Sequence, residues 1–589
     1  MERMETSQVS TYKTSQQTVL KFYNLLKACA GPLGAFHMLR NGCGGHVTLT
    51  STSSRLIPAM SLSRPELKLV ASSVQSHLNQ YGDCGLFMAC SSLYLIKASL
   101  QLDIDVATLS SLYEVFVKTL DTYMTLPDSD LWIKADFTKL DVLIAYVRSV
   151  VRSKSFATLN DHECENISQL IVTAFVESIP GLHVVAQGPI SNGVFVLGLE
   201  KRHIKESCLH HGLIIEYSEL SSLKGIVQLS VKTAEDFGVA GDKTLMNVCI
   251  KVALVTCSLS GDLEEIIDAV YEVTQKNCDD LQNMIMGRMM AFSEELERLN
   301  VGLVLCQKVI HPELKTLFSS KGILYVERTG LQIIPYLQDL TGAEPIASFI
   351  QISGIRDKIG KVTTVEHLIL AEKSFLLLTR TQSSVVTLVI CEQWEERLSE
   401  LKASVRTVLT GLHSLVKVQK LLPGGGCWQS HCAYQLKSKI TTKMKEISKE
   451  VSCSDGQVLS ALSVFLASLH NWVYAIHKDP VQLLVDPVSY HCWKLPETSL
   501  SPLSSDYTHC CCGMKSAPKS CMENFPIIPR HESASFQSVA LDQPAEIINN
   551  SLHPKLVLDN YLASKEALLR SVFTAGLVLS IDTYIFEKY

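Results

Sequence analysis

The residues that could do chemistry fall into glycine-rich loops and histidine–cysteine clusters. Gly31-Pro32-Leu33-Gly34 follows a run with helical spacing, Gly82-Asp83-Cys84-Gly85 precedes one, and Pro423-Gly424-Gly425-Gly426 lies between two. Glycine at a helix start lets backbone N–H groups approach a phosphate, and the helix dipole favours the anion. An aspartate in such a loop, here Asp83, can hold Mg²⁺ bridging phosphates. One such cluster is usually a turn, whereas three within helical stretches at both chain ends give a weak nucleotide-site signal.

Other motifs are weaker. Gly354 to Lys361 resembles a P-loop but has five residues between its glycines and Val362 where Ser or Thr is needed. In Gly238-Val-Ala-Gly241, Asp242 separates the last glycine from Lys243. His509-Cys510-Cys511-Cys512 with Cys521 could bind zinc. Three adjacent cysteines cannot all face one ion without strain, however, and no CxxC pair is present, so a loop of free thiols is favoured. His431-Cys432 and His491-Cys492 lack partners at ligand spacing and read as packing residues. No structural metal is expected.

The elements that must position these residues follow from composition and periodicity. The 589 residues suggest three or four lobes. Lys and Arg number 53 against 59 Asp and Glu, a net charge of −6 with no long basic block, which argues against a nucleic-acid surface. Apolar residues make up 47%, too many for global disorder. Met1–Gln17 is polar and unlike a secretory signal. No apolar stretch is expected to reach the roughly 18 residues of a membrane span, the nearest being Leu568–Phe586. The chain therefore reads as soluble and intracellular, with most of its 19 cysteines as reduced, small hydrophobes.

Val19, Phe22, Leu25, Leu26 and Cys29 form one helical face, stopped by Pro32 and Gly34. Leu67, Leu69, Val70 and Val74 mark a second helix, ended near Gly82. Leu86–Leu100 is apolar nearly all round and predicts the centre of a bundle. Across about 225–365, short apolar runs (Cys249–Cys257, Val301–Cys306, Ile323–Val326) alternate with helical ones (Phe292–Leu299, His311–Ser319, Leu331–Leu340), which predicts an α/β domain. From Glu395 the chain is helical again, with a stripe from Leu398 to Val416 and strong helices over Leu459–Leu469 and Leu568–Leu579. Residues 495–545, with six prolines and many serines, read as an irregular surface insertion.

These motifs, in this order, resemble a group II chaperonin, the family of the cytosolic CCT and archaeal thermosome subunits. The family's GPxG loop is matched by Gly31–Gly34, the strand before its NDGAT loop by Val47-Thr48-Leu49-Thr50, and its GDGTT loop by Gly82-Asp83-Cys84-Gly85-Leu86. Arg64-Pro65-Glu66-Leu67-Lys68 matches HPxAK, and Val301–Ile310 matches the apical strand VVFCQKGI. Glu206–Ile214 resembles the intermediate-domain turn, and Leu579-Ser-Ile-Asp582 the closing ILxIDD. The resemblance implies a multidomain α+β and α/β fold. Its parts would be a helical equatorial domain over 1–150 and 405–589, a small intermediate domain over 151–224 and 366–404, and an α/β apical, client-binding domain over 225–365. ATP and Mg²⁺ would sit at Gly31, Pro32, Gly34, Gly82, Asp83, Gly424, Gly425 and Gly426, with Asp83 as the metal residue, unless these loops are vestigial.

The departures bear on activity. The family's two water-positioning aspartates fall here at Thr52 and at Thr407, sixteen residues before Pro423. A threonine is neither an anionic base nor an equivalent orienter of water, so hydrolysis is expected to be absent or very weak. The lost carboxylates, the stretch from Leu303 to Lys315 and the Gly424–Cys427 sequence resemble a narrower group, the chaperonin-like proteins of McKusick–Kaufman and Bardet–Biedl syndromes. That resemblance implies work with CCT subunits and sibling chaperonin-like proteins on assembly of the BBSome, at the cytosol and centrosome, as a monomer or mixed complex rather than a homo-oligomeric ring. A working ATP-driven ring subunit and a centrosomal scaffold without chaperone role are the alternatives. Phe292–Leu299 and the segment after Cys257 would be client contacts, or else residues that only pack the apical core.

Overall fold

The computed structural model describes residues 9–10, 16–40, 47–127, 131–154, 159–179, 193–217, 249–261, 278–350, 354–381, 383–478, 481–486, 488–496, 509–516, 525–530, 556–581 and 584–585. The chain falls into two compact units, one from residues 1–169 with 399–589, the other from 170–398. The boundary expected at 224/225 and the Gly238–Lys243 loop lie outside the described residues.

In the first unit, the Gly85–Ser99 helix is buried along its whole length except at Leu86. It has no polar face to give to water, so helices must enclose it. Gln16–Ala28, Pro65–Tyr81, Asp455–His477 and Tyr561–Leu579 do so, drawn from both ends of the chain. Pro65 opens its helix at a position whose N–H would have no partner. Gly82 closes the same helix in the left-handed conformation, φ +75°, with its N–H on the Leu78 carbonyl. Phe116 and Phe465 meet edge-on at 5.8 Å between ring centres and anchor the far side of the core. A small antiparallel sheet joins Lys420–Pro423 to Leu558–Asn560 on one side and Ile133–Lys134 on the other.

The Asp455–His477 helix corrects one expectation. It is 23 residues long and holds an 18-residue stretch of mean hydropathy 1.4, long and apolar enough to cross a membrane. Val458, Leu462, Phe465, Leu469 and Val473 are buried among neighbouring helices, so packing accounts for its apolar character.

The second unit is built on a four-stranded sheet in the order Leu324–Val326, Val301–Cys306, Ile250–Val255, Gly360–Val362. The first three strands are parallel and the last antiparallel. The Pro312–Ser320 and Ile334–Thr341 helices connect or flank these strands, which is the alternation the periodicity predicts. Two three-stranded sheets complete the unit. One pairs Thr364–Leu370, Lys373–Thr379 and Leu213–Glu216, the other Val194–Glu200, Val386–Glu392 and Cys208–His211. Phe292 and Leu296 are fully buried against Phe318 and Val304, so this helix face is core rather than the expected client contact. Cys249 is also exposed, unlike the other cysteines of the apolar runs.

Phe465→Ala should lower unfolding stability by about 3–5 kcal/mol in urea denaturation followed by circular dichroism, because Phe116 and Tyr113 would face the cavity it leaves.

Candidate functional site

A cavity of about 450 Å³ opens in the first unit where the glycine loops converge. That volume is in the range of small-molecule sites, roughly 300–1,000 Å³. Gly31, Pro32, Asp83 and Gly425 stand on its wall, whereas Gly34, Gly82, Gly424 and Gly426 do not, and Gly82 lines a second space. Asp83 sits between two left-handed residues, Gly82 at φ +75° and Cys84 at φ +61°, and so protrudes just ahead of the Gly85–Ser99 helix. Cys84 occupies a position where the resembled loop has glycine. Its burial raises its thiol pKa, and its sulfur contacts Ser564 Oγ at 3.5 Å.

Close packing, rather than an open cradle, explains most of the glycines. A Cβ on Gly31 would lie 2.3 Å from the Ile476 carbonyl oxygen, and one on Gly425 would lie 2.6 Å from the Cys511 carbonyl oxygen. Cys511 itself lines the cavity, so the region of the expected insertion forms part of the wall.

Several wall residues escape a reading of the glycine motifs. Arg148, Arg152 and Lys154 bring positive charge to one side. The arginines, four apart on one helix face, are the one signal the sequence offered for them. Arg148 pairs with Glu165 at 3.1 Å and Arg152 with Asp161 at 2.6 Å. Asp559 accepts the Trp428 indole N–H at 3.0 Å. Burial, with the neighbouring Asp83 charge, pushes the Asp559 carboxyl up to about 7. Burial also lowers His77 to about 4. Its ring is therefore neutral near pH 7, and Nε2 donates to the Asp83 carbonyl at 3.0 Å.

Neither threonine at the expected water-positioning sites reaches this cavity. Thr407 lines a second space with Gly82, Lys402 and Arg406, and its hydroxyl donates to the Gly82 carbonyl at 3.1 Å. Thr52 is buried and donates to Glu400 Oε1 at 2.6 Å. Glu400 is the carboxylate that sequence spacing did not reveal, because it lies 348 residues from Thr52. Its oxygens also accept from the Thr50 hydroxyl at 2.9 Å, the Ser51 N–H at 3.1 Å, the Thr52 N–H at 3.1 Å and the Arg55 guanidinium at 2.6 Å. Burial alone would raise its carboxyl, but bonds from Thr52, Arg55, Thr50 and Ser51 outweigh that and hold it below the usual glutamate range. A carboxylate so engaged is a poor proton acceptor, and it is absent from the cavity wall.

The cysteine region departs from the sequence reading. Cys427, His491, Cys510 and Cys512 are all buried, and their ligand-type atoms lie within 4.8 Å of one another. His491 and Cys427 thus supply partners that looked missing, because the fold brings together positions far apart in sequence. Cys511 between them points elsewhere, which removes the strain of three adjacent ligands. His431 bonds the Tyr123 hydroxyl at 2.6 Å and is a packing residue. Cys521 lies outside the described residues.

Glu400→Gln should destabilise the chain by about 3–5 kcal/mol at pH 7, since Arg55 and the Thr50–Thr52 turn would lose a buried partner. The folded pKa of Glu400 lies below the ordinary 4.5, so its contribution is present above that pH and is lost as pH falls below it. The gap between the urea midpoints of wild type and variant should therefore hold above pH 4.5, narrow as pH falls below it, and close only once pH passes below the depressed folded pKa.

Residues 22–471 match the TCP-1/cpn60 chaperonin family. The molecular chaperone MKKS of Mus musculus is 28% identical over 601 positions spanning 100% of both chains. MKKS of Homo sapiens is 28% identical over 608 positions, again 100% of both. Thermosome subunit alpha of Sulfurisphaera tokodaii is 20% identical over 487 residues, 79% of each chain. The family match covers well over half of the sequence and agrees with the multidomain helical and α/β architecture. This chain belongs to the TCP-1/cpn60 chaperonin family.

Proposed function

We propose that this chain is a chaperonin-like assembly protein that does not hydrolyse ATP. The observation that carries this reading is what stands at the two positions where water-orienting carboxylates are expected. Thr52 and Thr407 offer only hydroxyls, and both are bonded within the protein. Glu400, the acid nearest Thr52, is saturated by donors. Loss of a positioned base removes roughly 10²–10⁴-fold of rate for each proton-transfer step.

Binding a nucleotide asks less of the site. The cavity volume, the helix start behind Asp83 and the basic side chains fit a phosphorylated ligand. Gly31, Pro32, Gly425, Arg148, Arg152 and Lys154 would hold it, and Asp83 would take its Mg²⁺. The bound cation would neutralise phosphate charge. His77 would keep the Asp83 backbone in place, and Trp428 would orient Asp559.

For clients, the burial of Phe292 and Leu296 moves the candidate surface to the groove between the Cys278–Arg298 and Pro312–Ser320 helices. Met286, Met290, Leu314 and Leu317 line it, in a space of about 320 Å³. Methionines adapt to varied apolar partners, which suits a holder of unfinished subunits. We place this activity with CCT subunits and sibling chaperonin-like proteins in assembly of the BBSome, in the cytosol and at the centrosome, with the chain as a monomer or part of a mixed complex.

Phosphate release by the purified protein should not exceed background, whereas equilibrium dialysis with labelled ATP and Mg²⁺ should show binding that falls at least tenfold in Asp83→Ala. Turnover that vanishes in Asp83→Ala or Glu400→Gln would overturn the non-hydrolysing reading. Affinity purification from ciliated cells should recover CCT and BBSome subunits, and Met290→Glu should weaken recovery of the BBSome subunits alone. Normal coat assembly in cells lacking the chain would favour the scaffold reading instead.

A further inference from the structure

We propose that Cys427, His491, Cys510 and Cys512 form a structural zinc site that pins the 481–530 segment against the glycine loop. All four residues are buried, with their ligand atoms within 4.8 Å of one another. His491 Nδ1 stands 3.2 Å from Cys512 Sγ, and the sulfurs of Cys510 and Cys512 are 3.3 Å apart. Tetrahedral zinc with Zn–S bonds of about 2.3 Å sets its ligand atoms roughly 3.5–3.8 Å from one another. The cluster closes onto that geometry with sub-ångström shifts of side chains. Three thiolates and an imidazole are a borderline-soft set suited to Zn²⁺, and four protein ligands leave no open position, so the role is structural.

The surrounding backbone is arranged as a metal turn requires. Cys510 and Cys512 lie on a tight turn in which the Gly513 N–H bonds the Cys510 carbonyl at 2.8 Å, with Gly513 at φ +76°. The Lys515 N–H points at Cys510 Sγ from 3.2 Å, an outer bond that stabilises a thiolate. Cys427 is the first residue of the Cys427–Thr442 helix, directly after Gly426. His491 immediately precedes the Cys492–Pro496 strand.

The segment also needs a staple. Among the described residues its hydrophobic cluster is Leu483, Leu484, Trp493 and Ile528 beside the cysteines and Val473, with Tyr474, Val485 and Phe525 packed on it. A small cluster of this kind gains from a cross-link or metal. The metal would join three stretches of chain and set Cys511 against Gly425, on the wall of the nucleotide-type cavity. Binding exchanges the thiol protons of the cysteines for the cation, with no change in oxidation state.

The full chain, purified reduced and without chelator, should contain about one zinc per molecule by elemental analysis. Cys511→Ser should keep the metal, whereas Cys512→Ser and His491→Ala should lose it. Cobalt substitution should give the thiolate charge-transfer and strong visible bands of a tetrahedral site. Because the variants could unfold, zinc is also stripped from the wild type with a chelator. Protease should then cut within 481–530 while the Gly85–Ser99 helix stays protected. A folded wild type that carries no zinc and takes up no cobalt would overturn the proposal. So would zinc content unmoved by Cys512→Ser, segment protection unchanged on stripping, or a Cys510–Cys512 or Cys427–Cys492 disulfide in the non-reduced protein.

Discussion

Burial of the Gly85–Ser99 helix over nearly its whole circumference is the constraint from which the first unit follows. A helix with no wet face must be wrapped, and the segments that wrap it come from residues 16–81 and from residues 455–579. The chain ends are thereby tied into one core, and the intervening residues leave and return. The same closure brings the Gly82–Gly85 turn, the Gly31 loop and the Gly424–Gly426 loop together, because each turn ends or begins a helix of that core. The cavity is a product of how the bundle closes.

Within that frame, the Thr50–Thr52 turn is held by charge. Glu400 reaches it from the Glu395–Lys417 helix and accepts from hydroxyl, backbone and guanidinium donors at once. Such a carboxylate keeps a low pKa by being fully used, which is the opposite of what a general base requires. The carboxylate beside the expected catalytic position is thus committed to structure.

The expected insertion has a closer relation to the cavity than its composition suggested. Gly425 has no side chain, and the Cys511 carbonyl occupies the space a Cβ would need. His477 Nε2 and the Cys492 thiol both meet the Gly425 carbonyl, at 3.1 and 3.6 Å. The glycine loop is therefore fixed from the side of the 481–530 segment as well as from its own helix. Whatever orders that segment also shapes the cavity.

Sequence alone determined the element types wherever one period ran long enough: the all-apolar central helix, the stripe from Leu398 to Val416, and the alternation of strands and helices over 250–341. It also located the glycine turns, because those signals are local, while the expectation of threonines at two water-positioning sites rested on a family resemblance. Only the tertiary structure decided what the scattered residues do. Glu400 and Thr52 are 348 positions apart, and Cys427, His491 and Cys512 meet from separate turns and strands. Phe292 and Leu296 could equally have been core or surface by periodicity, since an amphipathic face records that something covers it but not what. Side-chain partnership depends on distances across the fold, which linear spacing does not encode.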